Sequence, residues 1–287
     1  MPTPKYKIIK TDTNVLQVHI DITPGWEQLF LLRSDAHHDN PHCRQDLEKS
    51  HLDEALEKGA GIIDAGDLHC AMQGKWDKRS DKSSLRPEHR TGSYLDRLVE
   101  TAADFYAPYA QNWLVMGQGN HEASIKDKHE TDLTQRLSAV LNDRKKASIQ
   151  TLGYTGWVWF MFHVNTQRYG KLLWYTHGYG GGGPVTEDMI QSSRQRVYIE
   201  DADIMFSGHV HRSWVQEFVR LKINQHGRAV RREGYYVKTP TYKDSYGNGT
   251  AGFEVEKGMG PRPLGAYWLQ FFYRNKNDGI RMRIFKA

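Results

Sequence analysis

Two cysteines in 287 residues, Cys43 and Cys70, are too few for a disulfide framework, and both are expected as free thiols in a reducing cytoplasm. No run of about 18 apolar residues occurs, which excludes a transmembrane helix. Residues 1–10 lack the basic stretch and apolar core of a signal peptide. No segment repeats at a period of about 20 to 50 residues, and Gly180–Gly183 is the sole low-complexity tract. Ten prolines and 26 glycines are too few for a disordered chain. What is present is material for a core: 38% hydrophobic residues, with eight tryptophans and fifteen tyrosines. A net charge of +5 favours an anionic partner, such as nucleic acid, nucleotide or a phosphorylated ligand. A mildly basic enzyme without such a partner fits the charge equally well.

Apolar periodicity orders the chain. Residues 15–22 alternate as a half-buried strand does, and residues 28–32 form a second strand running into Arg33-Ser34-Asp35. Leu47, Leu52, Ala55 and Leu56 mark a helix within 41–58, with Gly59 where a C-terminal cap belongs. Ile62-Ile63 is a short strand ending in Asp64-Ala65-Gly66-Asp67. Residues 70–89 are polar and basic, a surface excursion. Tyr94, Leu98, Val99, Ala102, Phe105 and Tyr106 define an amphipathic helix, and Leu133, Leu137, Val140 and Leu141 another. Strands are expected at 113–116, 157–164, 172–176 and 204–206. In the β-rich tail, 215–223 pairs with 235–239, and 267–273 with 280–285 through the tight turn Asn277-Asp278-Gly279.

Five of the short strands end in a polar cluster: Asp35-Ala36-His37, Gly66-Asp67, Gly119-Asn120-His121-Glu122, His177-Gly178 and Gly208-His209-Val210-His211. In open α/β sheets a site forms beyond the carboxyl ends of the strands, so five such clusters on one rim make one site. Mixed carboxylate, imidazole and amide-oxygen donors suit manganese first, with iron, zinc or nickel accepting the same set; they argue against an all-oxygen calcium or magnesium cage. The donors exceed what one such ion takes, which points to two ions sharing a carboxylate.

Asp-x-His, Gly-Asp, Gly-Asn-His-Glu, His and Gly-His-x-His, in that order from Asp35 to His211, resemble the signature of the calcineurin-like metallophosphoesterases, with every ligand position filled. The resemblance implies an α/β fold, the calcineurin-like αββα sandwich of two mixed β-sheets flanked by helices. It would form one domain over 1–287, with the motif core at 27–212 and the tail at 213–287 completing the sheets. By the same resemblance one metal is held by Asp35, His37, Asp67 and His211. The second is held by Asp67, Asn120, His177 and His209, with Asp67 bridging. His121 is then the catalytic residue, protonating the leaving oxygen, and the nucleophile is a hydroxide bridging the ions.

Departures narrow the class. Phosphoprotein phosphatases have Gly-Asp-x-x-Asp-Arg-Gly and Arg-Gly-Asn-His-Glu at these places; here stand Gly66-Asp67-Leu68-His69-Cys70-Ala71-Met72 and Gln118, without the phosphate-gripping arginines. Cys70 takes the place of the aspartate that orients the catalytic histidine, which leaves open how His121 is held. Purple acid phosphatases carry tyrosine where Cys70 stands and lack a counterpart of His37. The phosphodiesterase and nuclease side of the superfamily remains, and Asn40-Pro41-His42-Cys43 with the glycine-rich loop resembles an uncharacterised phage or prophage group. The expected function is a two-metal phosphodiesterase on nucleotides or nucleic acid, with no membrane and no obligate protein partner. A phosphomonoesterase on a small metabolite and a non-catalytic, metal-stabilised nucleic-acid-binding module are the alternatives.

Other polar residues carry blander expectations. His38, His42 and His51 are expected to pack rather than ligate, His129 and His226 to be solvated, and Asp64 to make a structural hydrogen bond. His69, two residues after Asp67, is expected in a structural role ahead of one lining the site. Glu122 is equally a solvated helix-start carboxylate or an orienting group behind the ligands. Lys75, Lys78, Arg79, Lys82, Arg86 and Arg90 form a solvated basic loop or a phosphate grip. Gly180–Gly183 is expected as a flap at the rim, and Trp157, Trp159 and Trp174 as core.

Overall fold

The computed structural model describes residues 6–72, 85–181, 183–224, 226–247 and 253–287. Thirteen strands are described, in two sheets. The six-stranded sheet centres on β3 (Trp26–Arg33), β4 (Gly61–Asp64), β5 (Trp113–Gly117) and β6 (Gln150–Gly153), all parallel, with β12 (Tyr267–Tyr273) and β13 (Ile280–Lys286) added antiparallel beside β3. The seven-stranded sheet has the order β1 (Lys7–Asp12), β2 (Val15–Asp21), β7 (Thr155–Val164), β8 (Gln167–Thr176), β9 (Ile204–Ser207), β11 (Ala229–Lys238) and β10 (Trp214–Ile223), with parallel and antiparallel pairs mixed.

The sheets pack face to face because their inward positions are apolar. Val18, Phe30, Phe160, Leu269 and Phe271 meet in the layer between them, fully out of solvent. On the outer face of the six-stranded sheet, α1 (Gln45–Glu57), α2 (Tyr94–Tyr106) and α4 (Leu133–Lys145) lay Leu52, Ala55, Leu98, Ala102 and Leu137 over Leu31, Ile62 and Trp268. On the far side of the other sheet, α5 (Met189–Tyr198) is followed by Ala202, which packs with Trp174, Met205, Trp214 and Tyr236. Two mixed sheets flanked by helices make the expected αββα sandwich. No helix among the described residues is long and apolar enough to cross a membrane.

The strands and helices expected at 15–22, 28–32, 94–106, 133–141 and in the paired C-terminal tail are present, with ends moved by a few residues. Gly59 follows α1 in the left-handed conformation its C-terminal place requires. Two departures have physical causes. Trp159 is 36% exposed on β7, because the period of two that buries Val158 and Phe160 turns it outward, while Trp174 is core as expected and the half-buried Trp157 packs against its cluster. The polar stretch at 70–89 is no simple surface excursion, since Cys70, Ala71 and His89 are buried; residues 73–84 of it, carrying Lys75, Lys78, Arg79 and Lys82, lie outside the described residues. Arg33, at the end of β3, is wholly buried, with Glu48 at 2.7 Å and Asp64 at 2.8 Å. That pair of carboxylates offsets the cost of taking a guanidinium out of water, and Asp64 so makes the structural bond expected of it.

Candidate metal centre

Five strands deliver the polar clusters to one rim. β3, β4 and β5 run parallel, and Asp35, Asp67 and Asn120 follow their carboxyl ends; β8 and β9, parallel in the other sheet, end before His177 and His209. Main-chain bonds tie the loops together: Asp35 N donates to Gly66 O at 2.9 Å, His37 N to Asp67 O at 3.0 Å and Gly208 N to His177 O at 3.0 Å.

The side chains gather in two groups. In the first, His211 Nε2 lies 3.2 Å from His37 Nε2 and 3.4 Å from Asp35 Oδ1. The other Asp35 oxygen accepts from Ser34 Oγ and from His209 N, while Oδ1 is buried without a hydrogen-bond partner. In the second, His177 Nε2 is 3.2 Å from Asp67 Oδ2 and 3.0 Å from Asn120 Oδ1, which is itself 2.8 Å from His209 Nδ1. All seven residues expected as ligands are therefore in these two groups.

The outer hydrogen bonds decide which ring nitrogens are left for an ion. His177 Nδ1 faces Ala65 O at 3.1 Å and His209 Nε2 faces Gly180 O at 3.0 Å. A carbonyl only accepts, so each ring carries its proton on the outside and turns a lone pair inward. In the neutral rings those lone pairs meet the Asn120 and Asp67 oxygens, an arrangement that calls for a cation or a proton between them. Electrostatics makes the same demand. Burial disfavours the His177 imidazolium, yet the Asp67 carboxylate carries its pKa up to about 9. Burial likewise opposes ionisation of Asp67, and the charges of His177 and His121 outweigh it, holding the carboxyl well below its usual range. The donor set and its orientation thus fit divalent ions.

Backbone strain marks the same residues. Asp35, His37, Asp67, His209 and His211 all have φ between +46° and +72°, a region that costs a non-glycine residue about 1 kcal/mol or more. The surrounding glycines permit close approach. A Cβ on Gly208 would stand 2.1 Å from Ser34 Oγ and 2.2 Å from Asp35 Oδ2. Gly208→Ala should therefore push Asp35 aside, lowering stability by about 1–3 kcal/mol in urea titrations and depleting bound metal. A variant with wild-type stability and metal content would show that the approach is not required.

His121 stands beside both groups, its ring 4.9 Å from that of His37 and its Nε2 3.8 Å from Asp67 Oδ2. It is the second residue of α3 (Asn120–His129), a helix the apolar pattern did not reveal because only Glu122 and Ile125 of it are buried. Its Nδ1 is bonded to the main-chain O of Cys70 at 2.5 Å. The acceptor that replaces the missing aspartate is a peptide carbonyl rather than a side chain.

Glu122 is no solvated carboxylate. It is fully buried and accepts from the main-chain N of Asp67, His69 and Gly119 at 3.1, 2.8 and 2.9 Å, clamping the second and third motif loops together. Burial and the nearby Asp67 charge raise its pKa. His38 bonds Glu48 at 3.0 Å and His51 bonds the Tyr242 hydroxyl at 3.0 Å, both buried and structural. His69 is buried with Nδ1 4.0 Å from Asp39, outside both donor groups. His226 is exposed, whereas His129 is half-buried rather than solvated. Arg86 grips main-chain carbonyls of Asn40 and Cys43, a structural use of a residue flagged for phosphate. Gly180 does lie at the rim, over His209.

Fold and rim together define an αββα sandwich of two mixed sheets with two clusters of metal-type donors on one rim. No family model matches it, and no curated protein does. Solved structures with a similar course include Vps29 of Entamoeba histolytica, crystallised with zinc, at 12% identity, TM-score 0.35, and 90% of this chain against 99% of that one. A protein from Streptococcus pneumoniae TIGR4 described as a predicted phosphoesterase matches at 10% identity and TM-score 0.32, over 91% and 99%. GAP50 of Plasmodium, described as the anchor in the inner membrane complex, matches at 10% identity and TM-score 0.43, over 91% and 84%. Such likenesses concern fold alone.

Proposed function

We propose that this chain is a two-metal-dependent phosphodiesterase acting on nucleotides or nucleic acid. Asp35, His37, Asp67 and His211 would hold one divalent transition-metal ion, manganese foremost, and Asp67, Asn120, His177 and His209 would hold the second, with Asp67 serving both. When bound, such ions lower the pKa of water and offset charge on phosphate oxygens. The chain's own groups do the rest. Ala65 and Gly180 fix the ring tautomers, Glu122 fixes the loops, and His121 turns Nε2 to the site as the proton donor for the leaving oxygen. The observation that carries the reading is the pair of inward-turned donor groups beside an imidazole that belongs to neither expected ligand set. A diester is favoured over a monoester because a monoester brings a second negative charge. The places where arginines would meet that charge hold Ala71 and Gln118.

The nucleic-acid reading has support in a second feature. A cleft of about 570 Å³ opens between β11 and the β12–β13 pair, lined by Lys171, Arg231, Arg232, Arg274, Arg281 and Arg283 against Glu233 and Asp278. Asp203 pairs with Arg232 and Lys171, but Arg231, Arg274 and Arg283 have no ion pair among the described residues. Arg283 and Arg274 stand 4.9 and 6.0 Å from the Phe272 ring centroid. Tyr273 pairs with Trp26 at the start of β3, so the cleft lies at the end of the sandwich away from the rim, about 20 Å off at roughly 3.3 Å per strand residue.

The test is turnover by metal-loaded protein across mono- and diesters, cyclic nucleotides, and single- and double-stranded DNA and RNA. Diesters are expected to outpace monoesters. Faster monoester turnover would favour the metabolite phosphatase, and silence across the panel with metal bound would favour the non-catalytic module. Arg231→Glu with Arg283→Glu should weaken oligonucleotide affinity about tenfold and flatten its salt dependence, leaving a small aryl diester unaffected. Equal losses on both would remove the cleft's role.

A further inference from the structure

The structure leaves Asp39 without a part in the metal groups, yet it is 3% exposed and its carboxylate is fully engaged. Oδ1 accepts from Cys70 N at 2.6 Å, and Oδ2 from Ala71 N at 3.0 Å and the Tyr94 hydroxyl at 3.4 Å. Two consecutive peptide N–H groups on one carboxylate fix the orientation of the peptide units on either side of Cys70. Ala71 is held there with φ +45°, a strained conformation for alanine that the carboxylate helps to maintain. The carbonyl of Cys70 belongs to the peptide that carries Ala71 N, so the bond to Asp39 Oδ2 aims that carbonyl the opposite way, at His121 Nδ1.

We propose that Asp39 is a positioning residue for His121, acting through the Cys70–Ala71 peptide rather than by touching the imidazole. The inference rests on the assignment of His121 as proton donor. A carboxylate in direct contact would hold the ring by charge. Here the charge is spent on two N–H groups, and the ring meets a neutral carbonyl of fixed direction. The Cys70 thiol cannot substitute: burial, with the Asp39 charge, pushes its pKa up to about 12, and Asn40 Nδ2 lies against Sγ at 3.3 Å. Because a carbonyl only accepts, Nδ1 keeps its proton throughout, and the proton given to the leaving oxygen is the second one of the imidazolium, on Nε2, which leaves the ring neutral with Nδ1–H. Loss of Asp39 would free the peptide to rotate and the ring to change tautomer.

Asp39→Asn keeps the shape but replaces one acceptor by an NH₂ group that faces an N–H. In metal-loaded protein the variant should keep its ions and lower kcat about 10- to 100-fold with little change in KM, the loss shrinking for acidic leaving groups. The double variant with His121→Ala should be no slower than His121→Ala alone, since the two act as one unit. Nitrogen NMR of the ring should show Nδ1–H in the wild type and a mixture of tautomers in Asp39→Asn. Losses that multiply, or an unchanged ring tautomer, would overturn the proposal. If His121→Ala proves fully active while the tautomer still shifts, the failure lies with the proton-donor assignment, and the catalytic part of the proposal falls with it. Should Asp39→Asn not fold, Tyr94→Phe removes only the 3.4 Å bond and should move kcat and tautomer the same way by less; no movement of either counts against it.

Discussion

His121→Ala should keep both metal ions and lose turnover by a factor on the order of 10² to 10⁴, the usual worth of a positioned general acid. The ring sits beside both donor groups without joining the bonds that orient the ligands, and its outer nitrogen is bonded to Cys70 O. Removing it leaves Asp67 bonded to the main-chain N of residue 121, a contact at 2.9 Å that alanine also makes. The loss should shrink as the leaving group becomes more acidic, since a good leaving oxygen needs little protonation. Rates for a series of aryl phosphodiesters, measured beside metal content, decide the matter. A variant that loses metal, or stays fully active across the series, would show that the role is misassigned.

Asp67→Ala should strip the protein of both ions, where manganese-loaded wild type carries about two per chain. Asp67 is buried against His177 and His121, and the other carboxylate among the seven proposed ligands is Asp35. Without Asp67 the second group is left with neutral donors only. Chelation of the wild type should lower its Tm by roughly 5 °C per ion when free metal stood about a hundredfold above Kd, and the variant should show no such shift. Elemental analysis finding one ion in the wild type, or full retention in Asp67→Ala, would defeat the shared-ligand assignment.

Legibility of the fold tracked local pattern. Helix α2 is readable because Leu98, Val99, Ala102 and Tyr106 recur at helical spacing and are buried. Helix α3 is not readable: its burial rests on a charged residue, Glu122, and its start is held by Asp67 and Glu122 rather than by an apolar face. Strand β1 carries no apolar alternation for a related reason, being an edge strand with exposed residues at five of six positions. Trp159 of β7 misleads because tryptophan is common inside, whereas strand parity decides its side. Arg33 gave no local sign of burial, since its partners Glu48 and Asp64 come from α1 and β4.

By itself the sequence determined the donors and their order. A strand of four to ten residues ending in Asp, His or Asn must present those side chains in a loop, and five such strands in an α/β chain share a rim. Only the tertiary structure decided which nitrogen of each ring turns inward, that Glu122 is a buried clamp, and that a peptide carbonyl aimed by Asp39 holds His121. Each of those depends on hydrogen bonds between residues distant in the chain, such as His121 and Cys70, 51 positions apart. Chain spacing says nothing about the direction of such bonds. Sheet register and the requirement that buried polar groups find partners supply it.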